Sequence, residues 1–523
     1  MPIDSEIATR TICSTNPATG EELRQFPCAS EDEVRSAVEQ ARVAQRAWSE
    51  LGVRSRVATL REFQRKLHEE KLQVAEAITR EAGKAVAEAL TTEVLVVLDS
   101  ARFLIDNAYR LLRDEPLPHG NIVAKAKTGY LVHEPYGVIG IIPPWNYPFS
   151  IPATESLAAL VAGNAVVLKP SEFTTLVALE LQSLLHASGV PKEVFQVVAG
   201  DGATGAALVD SPIDKLVFTG SVATGKRIAA AASQRLLPVV LELGGKDPML
   251  VFNDADLDVA SSAAVWGAFM NAGQTCLSVE RCYVHRTLYN AFLSACAEKT
   301  KKLRVGNGMD RDIDIGPMIH ARQLRTVQAH VEDAVRLGAR VRTGGAPLPE
   351  LGPNFFAPTV LADVNHTMRI MREETFGPVL PVAAFDSDEE AVRLANDSEF
   401  GLAASVWTRD SARGERLARQ IQAGTVMVND VISCFGISEA PHGGVKASGI
   451  GRTHGRFGLE EMVRTKYVDV DLIPRMKKVW WYGYGADFKR LIEGFVDVQF
   501  ARRLGERLRG ALRAAGVMRR RPL

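Results

Sequence analysis

Long apolar runs are missing from this 523-residue chain. No stretch of about 18 residues is apolar and free of charge, so no membrane-spanning helix is expected. Charge of one sign is missing too: Lys plus Arg is 62 and Asp plus Glu is 62. That balance gives no overall electrostatic pull toward nucleic acid. Cysteine is scarce. The six, at positions 13, 28, 276, 282, 296 and 434, contain no CxxC pair, so neither a metal site nor a disulfide framework is expected. The opening residues, MPIDSEIATRTIC, carry acids and no apolar segment, so no secretory signal is expected. Together these absences predict a reducing, cytoplasmic setting. Low-complexity linkers and internal repeats are absent as well, which predicts domains that share a tight interface.

What is present fits a large globular protein. Hydrophobic residues make up 46% and charged residues 24%. At roughly 100–200 residues per domain, the length predicts about three folding units. Residues 31–113 read as helices. The first opens with a capping box, Ser30 with Glu33, and repeats Val34, Val38, Ala41, Ala44 and Trp48 at helical spacing. From 117 to 138, prolines and then alternation predict a strand pair. From 136 to 245 the runs GVIGII, AVVLKP, FQVVAG, DKLVFTG and PVVLELGG alternate with helical stretches, the pattern of a parallel sheet with crossover helices. A second such block runs from 246 to 445 with PMLVFN, RCYVHR, FFAPTVLADV, GPVLPVAAFD and AGTVMVND, and strand-forming residues return in RTKYVDVDL. The fold class is therefore α/β.

Three positions carry the chemistry. Cys276 in NAGQTCLS follows a glycine-containing turn; alone, it could be a small buried hydrophobe. Glu242 ends an apolar run before two glycines, where a carboxylate at a strand's carboxyl edge faces the ligand crevice; alone, it could be a capping or salt-bridged residue. Asn146 follows a strand and a double proline, where turn chemistry is the plainer reading. Together, thiol, carboxylate and amide form the set that thioester chemistry requires: a nucleophile, a base for water and a donor for the oxyanion.

The ordered series PWN, LKPSE, FTGS, ELGGK, GQTC, EETFGPV and GGVKASGIGR, spread over residues 15 to 470, resembles the aldehyde dehydrogenase superfamily. The resemblance implies NAD(P)-dependent oxidation of an aldehyde to its acid. Cys276 would form the thiohemiacetal and thioester, Asn146 with the Cys276 backbone NH would hold the oxyanion, and Glu242 would activate the hydrolytic water. For the cofactor it implies Trp145, Lys169, Glu172, Gly220, Ser221, Gly225, Glu374 and Phe376. Two glycine-rich loops compete for the pyrophosphate. GDGATG at 200–205 is a literal GxGxxG but lacks an acid about 20 residues on; GSVATG at 220–225 opens a helix and is the loop the family uses. Glu172 would accept from the adenosine ribose and repel a 2′-phosphate, favouring NAD, with NADP possible.

The implied architecture has a dinucleotide-binding domain (1–116 and 136–244), a catalytic domain (245–446), an oligomerisation sheet (117–135 and 464–473) forming a homodimer or homotetramer, and an extension (475–523). A CoA-acylating relative would usually lack Glu242, and a non-catalytic relative could have lost any of the three residues. Succinate semialdehyde dehydrogenases carry arginines where this chain has Met270 and Thr154, so a carboxylate tail would lack a cation. WNYPF and Asn429-Asp430-Val431 resemble the fatty and aromatic aldehyde branch. His442 stands where those relatives usually have Phe; its plain reading is a loop histidine making a local hydrogen bond. The extension holds thirteen Lys or Arg against four acids, begins KKVWWYGYG, and places Phe488, Leu491, Ile492, Phe495, Leu504, Leu508 and Leu512 mostly on one helical face. That predicts either peripheral contact with an anionic membrane or packing on a neighbouring subunit.

Overall fold

The computed structural model describes residues 10–121, 124–478 and 480–520. The chain divides into two compact units, residues 1–111 with 135–463, and residues 112–134 with 464–523.

The larger unit holds two main sheets. In the six-stranded one, Val138–Ile142, Ala165–Leu168, Phe195–Val197, Lys215–Thr219 and Val239–Glu242 run parallel. All five residues of Val138–Ile142 are buried, as near-continuous apolar strands covered on both faces must be. The order, from Gly449–Ile450 through 239–242, 215–219, 138–142 and 165–168 to 195–197, reverses direction at Val138–Ile142. Ligands in such sheets sit beyond the carboxyl ends of the strands at the reversal. The seven-stranded sheet has Asp247–Val251, Val279–His285, Thr359–Ala362, Val379–Phe385, Ala403–Trp407 and Thr425–Val428 parallel, with Arg340–Thr343 antiparallel at one edge.

Around these sheets several helices begin at a side-chain cap. Ser30 accepts from Glu33 N and Glu33 bonds back to Ser30 N, closing the capping box of Glu31–Glu50. Trp48 is buried, and its indole donates to Leu160 O at 2.9 Å. Leu160 belongs to Ser150–Ala162, a helix buried along its whole length.

Five strands were not anticipated: the hairpin Thr11–Thr15 with Glu22–Pro27, the edge strand Arg340–Thr343, Ala403–Trp407, and Gly449–Ile450. The last crosses the expected domain limits, since it pairs antiparallel with 239–242, Gly449 opposite Glu242. GDGATG also resolves: Asp201 caps the helix Gly202–Asp210 by accepting from the amides of Ala203 and Thr204.

The smaller unit contains a three-stranded antiparallel sheet, Val463–Asp471, Lys127–Pro135 and Glu115–Leu117. Its extension corrects one expectation. In place of a single amphipathic face there are two helices, Ala486–Phe500 and Leu504–Arg520, broken at the extended Ala501. Gly494 and Gly510 let the pair approach closely; a Cβ on either would lie 2.7–2.8 Å from the other's carbonyl oxygen. The inner face is Leu491, Ala514 and Val517, whereas Leu504, Leu508 and Leu512 stay exposed, at 72%, 58% and 74%. Among the described residues no helix is long and apolar enough to cross a membrane.

Candidate active site

Cys276 sits just before strand Val279–His285, at the end of a loop bent through two left-handed residues, Asn271 (φ 53°) and Ala272 (φ 54°). Such backbone costs roughly 1–2 kcal/mol per residue and needs fixed partners. They are present. Asn271 N donates to Glu88 Oε1 at 2.8 Å, and its side-chain amide donates to Asn146 O at 3.0 Å. Gln274 Oε1 accepts from Ile319 N at 2.9 Å, and Thr275 Oγ1 lies 2.7 Å from Tyr147 OH. The polar letters of NAGQT thus hold the loop. Burial, then the carboxylates of Asp247, Glu374 and Glu242, push the Cys276 thiol well above the ordinary thiol range.

Asn146 is buried, and its Nδ2 donates to Gln274 O at 2.9 Å, leaving one amide hydrogen for a ligand. Its own carbonyl accepts from Lys84 Nζ at 2.7 Å. Lys84 in turn pairs with Glu93 at 2.7 Å, both fully buried, and Glu93 accepts from the amides of Phe149 and Ser150 at the start of the buried helix. Lys84, Glu88 and Glu93 therefore brace the site, a role no sequence pattern separates from that of solvated helix charges.

Glu242 ends its strand buried, with no hydrogen-bond partner on either oxygen. Desolvation, then the charge of Glu155, holds its carboxyl well above the usual range. The two glycines after it are needed for space. A Cβ on Gly244 would lie 2.5 Å from Glu374 Oε2, and one on Gly245 2.5 Å from Cys276 O.

A cavity of about 260 Å³ brings together Cys276, Glu242, Asn146, Trp145, Gly220, Ser221, Glu374 and Phe376. His442, expected as a loop residue with a local bond, lines it as well. Its backbone makes that bond, with Thr453, while its buried imidazole faces Glu242. Glu155 and His454 line the cavity too and were not anticipated. Lys169, Glu172 and Gly225 stand outside it. Lys169 and Glu172 follow strand 165–168, 3.9 Å apart, and Gly225 makes room for Leu243, which a Cβ would meet at 2.5 Å.

The donor set suits a nicotinamide dinucleotide. Ser221 caps Val222–Ser233, whose amino end stands at a strand's carboxyl edge, where helix amides and dipole favour a pyrophosphate. The Phe376 ring lies edge-on to Trp145 at 5.4 Å. Glu374 accepts from Gly245 N at 2.9 Å, and burial lifts its carboxyl to about 7.

A second cavity, about 410 Å³, meets the first at Cys276, Ile151 and Phe435. Its walls are chiefly Leu95, Val96, Tyr147, Trp266, Met270 and Ile432. Among the described residues lining it none is Lys or Arg, and the one charged side chain is Asp99.

Comparison with known proteins agrees with this geometry. Residues 4–468 match the Aldehyde dehydrogenase family. A 4,4′-diapolycopene aldehyde oxidase of Methylomonas sp is 41% identical over 490 residues, covering 93% of this chain and 91% of that one. A putative NADP(+) succinate-semialdehyde dehydrogenase of Mycolicibacterium smegmatis is 40% identical over 452 residues, 86% of this chain and 87% of its own length. The NAD+ complex of an aldehyde dehydrogenase from Bacillus cereus superposes with a TM-score of 0.85 at 35% identity, over 88% of this chain and 94% of that one. The chain belongs to the aldehyde dehydrogenase family and is an NAD- or NADP-dependent oxidoreductase acting on the aldehyde group.

Proposed function

We propose that this dehydrogenase oxidises apolar aliphatic or aromatic aldehydes to free acids through a thioester on Cys276. The Cys276 thiolate adds to the aldehyde carbon, forming the thiohemiacetal. Asn146 Nδ2 and the Cys276 amide donate to the oxyanion; one such donor contributes about 2.7–4 kcal/mol to the transition state. The bound dinucleotide supplies the two-electron acceptor for the hydride that leaves this carbon. Trp145, Gly220, Ser221, Glu374 and Phe376 hold its nicotinamide half and phosphates, Lys169 and Glu172 its adenosine ribose, and Gly225 the packing of the supporting helix. Glu172 favours NAD over NADP. Glu242 then takes a proton from water, the resulting hydroxide attacks the thioester carbonyl, and the Cys276 thiolate leaves. Retention of Glu242 favours release to water over transfer to CoA.

The apolar second cavity at Cys276 carries the substrate reading. The Methylomonas relative is named for an aldehyde of diapolycopene, and the Mycolicibacterium relative for succinate semialdehyde. Met270 and Thr154 supply no cation for a carboxylate tail, which favours the apolar class. A ladder of straight-chain aldehydes tests this. Each buried methylene is worth about 0.8 kcal/mol, so kcat/KM should climb several-fold per carbon until the cavity is full. Succinate semialdehyde outperforming butanal would refute it.

Two further parts of the proposal concern assembly and location. The exposed strands of the three-stranded sheet, with Tyr467 and Val470 outward, suit pairing into a homodimer or homotetramer, which sedimentation velocity reads directly. The extension suits peripheral contact with an anionic membrane face. Trp481, Tyr482 and Tyr484 are exposed beside an excess of nine positive charges over residues 475–523.

A further inference from the structure

The loop at 373–377, which presents Glu374 and Phe376 to the catalytic cavity, is pinned from behind by two buried charges. Glu280 stands four residues after Cys276, in strand Val279–His285, and Lys246 stands four residues after Glu242. Their side chains form an ion pair, and neither is among the residues lining the cavity. Glu280 accepts from Thr375 N at 3.0 Å and from Phe376 N at 2.8 Å. Lys246 Nζ donates to Thr375 Oγ1 at 3.2 Å, and His330 Nδ1 lies 3.2 Å from the same oxygen. From another side Gln323 Nε2 donates to the carbonyls of Thr375 and Phe376 at 3.0 and 3.1 Å. The far end of the loop rests on the nucleophile loop: a Cβ on Gly273 would lie 2.1 Å from Gly377 O. Phe376 needs this hold, since its φ of 51° is a backbone state that a bulky side chain rarely keeps unaided.

A buried ion pair adds little stability that apolar side chains of the same volume would not supply. What the carboxylate adds is aim. Its charge-assisted bonds to two successive amides fix where the Glu374 and Phe376 side chains stand. We propose that Glu280, held by Lys246, is a positioning residue for hydride transfer. It sets the depth at which Glu374 and Phe376 meet the nicotinamide half of the cofactor. The strand that follows Cys276 and the turn that follows Glu242 each contribute one member of the pair, so the cofactor loop is anchored to both. Glu280 touches no reacting atom and moves neither proton nor electron. A misplacement of about 1 Å at a reacting centre can cost on the order of 10²-fold in rate, and Glu280 prevents that error.

The inference rests on the thioester route and on Glu374 and Phe376 meeting the cofactor, and the experiment separates these. In that route p-nitrophenyl acetate passes its acetyl group to Cys276, p-nitrophenolate leaves, and water then frees the thiolate. No cofactor takes part, so ester hydrolysis reports on the thiol and the base alone. Glu280→Gln should keep ester hydrolysis within twofold and lose at least tenfold in the single-turnover rate of NADH formation. With a 1-deuterated aldehyde its steady-state isotope effect should rise toward the single-turnover value, because hydride transfer becomes the slow step. Gln323→Leu, which frees the loop from its other side, should show the same split and serves if the Glu280 variant does not fold. NADH formation within twofold of wild type in both variants overturns the inference. Equal loss of ester hydrolysis and NADH formation in both marks a structural role and overturns it as well. Glu374→Gln with normal NADH formation overturns the assignment of the loop to the cofactor, and the inference with it. Cys276→Ala that retains ester hydrolysis overturns the thioester route, whereas the isotope effect still decides for or against Glu280.

Discussion

The imidazole of His442 stands 3.8 Å from the carboxylate of Glu242, both side chains buried, yet the two do not form an ion pair. Burial, then His454 and Arg452, holds His442 neutral down to about pH 3, while desolvation keeps Glu242 protonated above its usual range. The contact is between two groups that both resist charge. An unfolded chain protonates this histidine near pH 6.5, and the folded one does not. Between those values acid therefore favours unfolding, and the penalty is absent above about pH 7. At pH 5 it amounts to about 2 kcal/mol. His442→Phe should remove it. Urea unfolding at pH 5 and pH 8 should show the variant gaining stability relative to wild type at the lower pH; an equal difference at both pH values would refute the neutral buried histidine.

In the proposed thioester route Cys276 and Glu242 act in different steps and should fail differently. Cys276→Ala should abolish NADH formation. Glu242→Gln should still give one burst of NADH per active site, with steady turnover lowered by a hundredfold or more. Quenched-flow traces distinguish the two, and near-normal turnover in the alanine variant would refute the thioester route.

Glu172, 3.9 Å from Lys169 and 41% exposed at its side chain, sets cofactor preference in this reading. Glu172→Gln removes one charge that would repel a 2′-phosphate. The NADP to NAD ratio of kcat/KM should rise about tenfold, or roughly 1.4 kcal/mol. A wild-type enzyme that already prefers NADP tenfold is the contrary result.

The extension should bind anionic vesicles at low salt and release them as salt is raised, since basic attraction is screened within about 8–10 Å. A chain ending at Asp471 should not bind. Co-sedimentation showing both forms equally unbound would dismiss the membrane contact.

Much of the α/β layout was legible because buried parallel strands such as AVVL and KLVFT are short apolar runs set between helical stretches. What escaped lacks a local signal. Gly449–Ile450 is two residues long and becomes a strand only because Leu241 and Glu242 lie alongside. Ala403–Trp407 is rich in alanine and serine and reads weakly as β. In the site, NAGQTC and ELGGK drew attention because glycines and polar residues break apolar runs. Glu155 did not, since a glutamate on a helix is ordinarily solvated; only a neighbouring strand and a distant loop bury this one. Lys84 and Glu93 escaped for the same reason. The helical break at Ala501 was missed because hydrophobic spacing alone carried on through Arg502 and Arg503.

The pairing of Glu242 with Gly449 also bears on how the protein is made. The strand ending in Glu242 leaves the ribosome long before its edge partner exists, with the whole seven-stranded sheet translated between them. At about 5–20 residues per second, that interval is roughly 10–40 s. Throughout it, Val239–Glu242 is an open edge on an otherwise formed parallel sheet, available to another nascent chain. Fragments truncated before Gly449 should therefore be recovered chiefly as aggregates, and the Glu242 carboxylate is among the last groups in the chain to be locked in place.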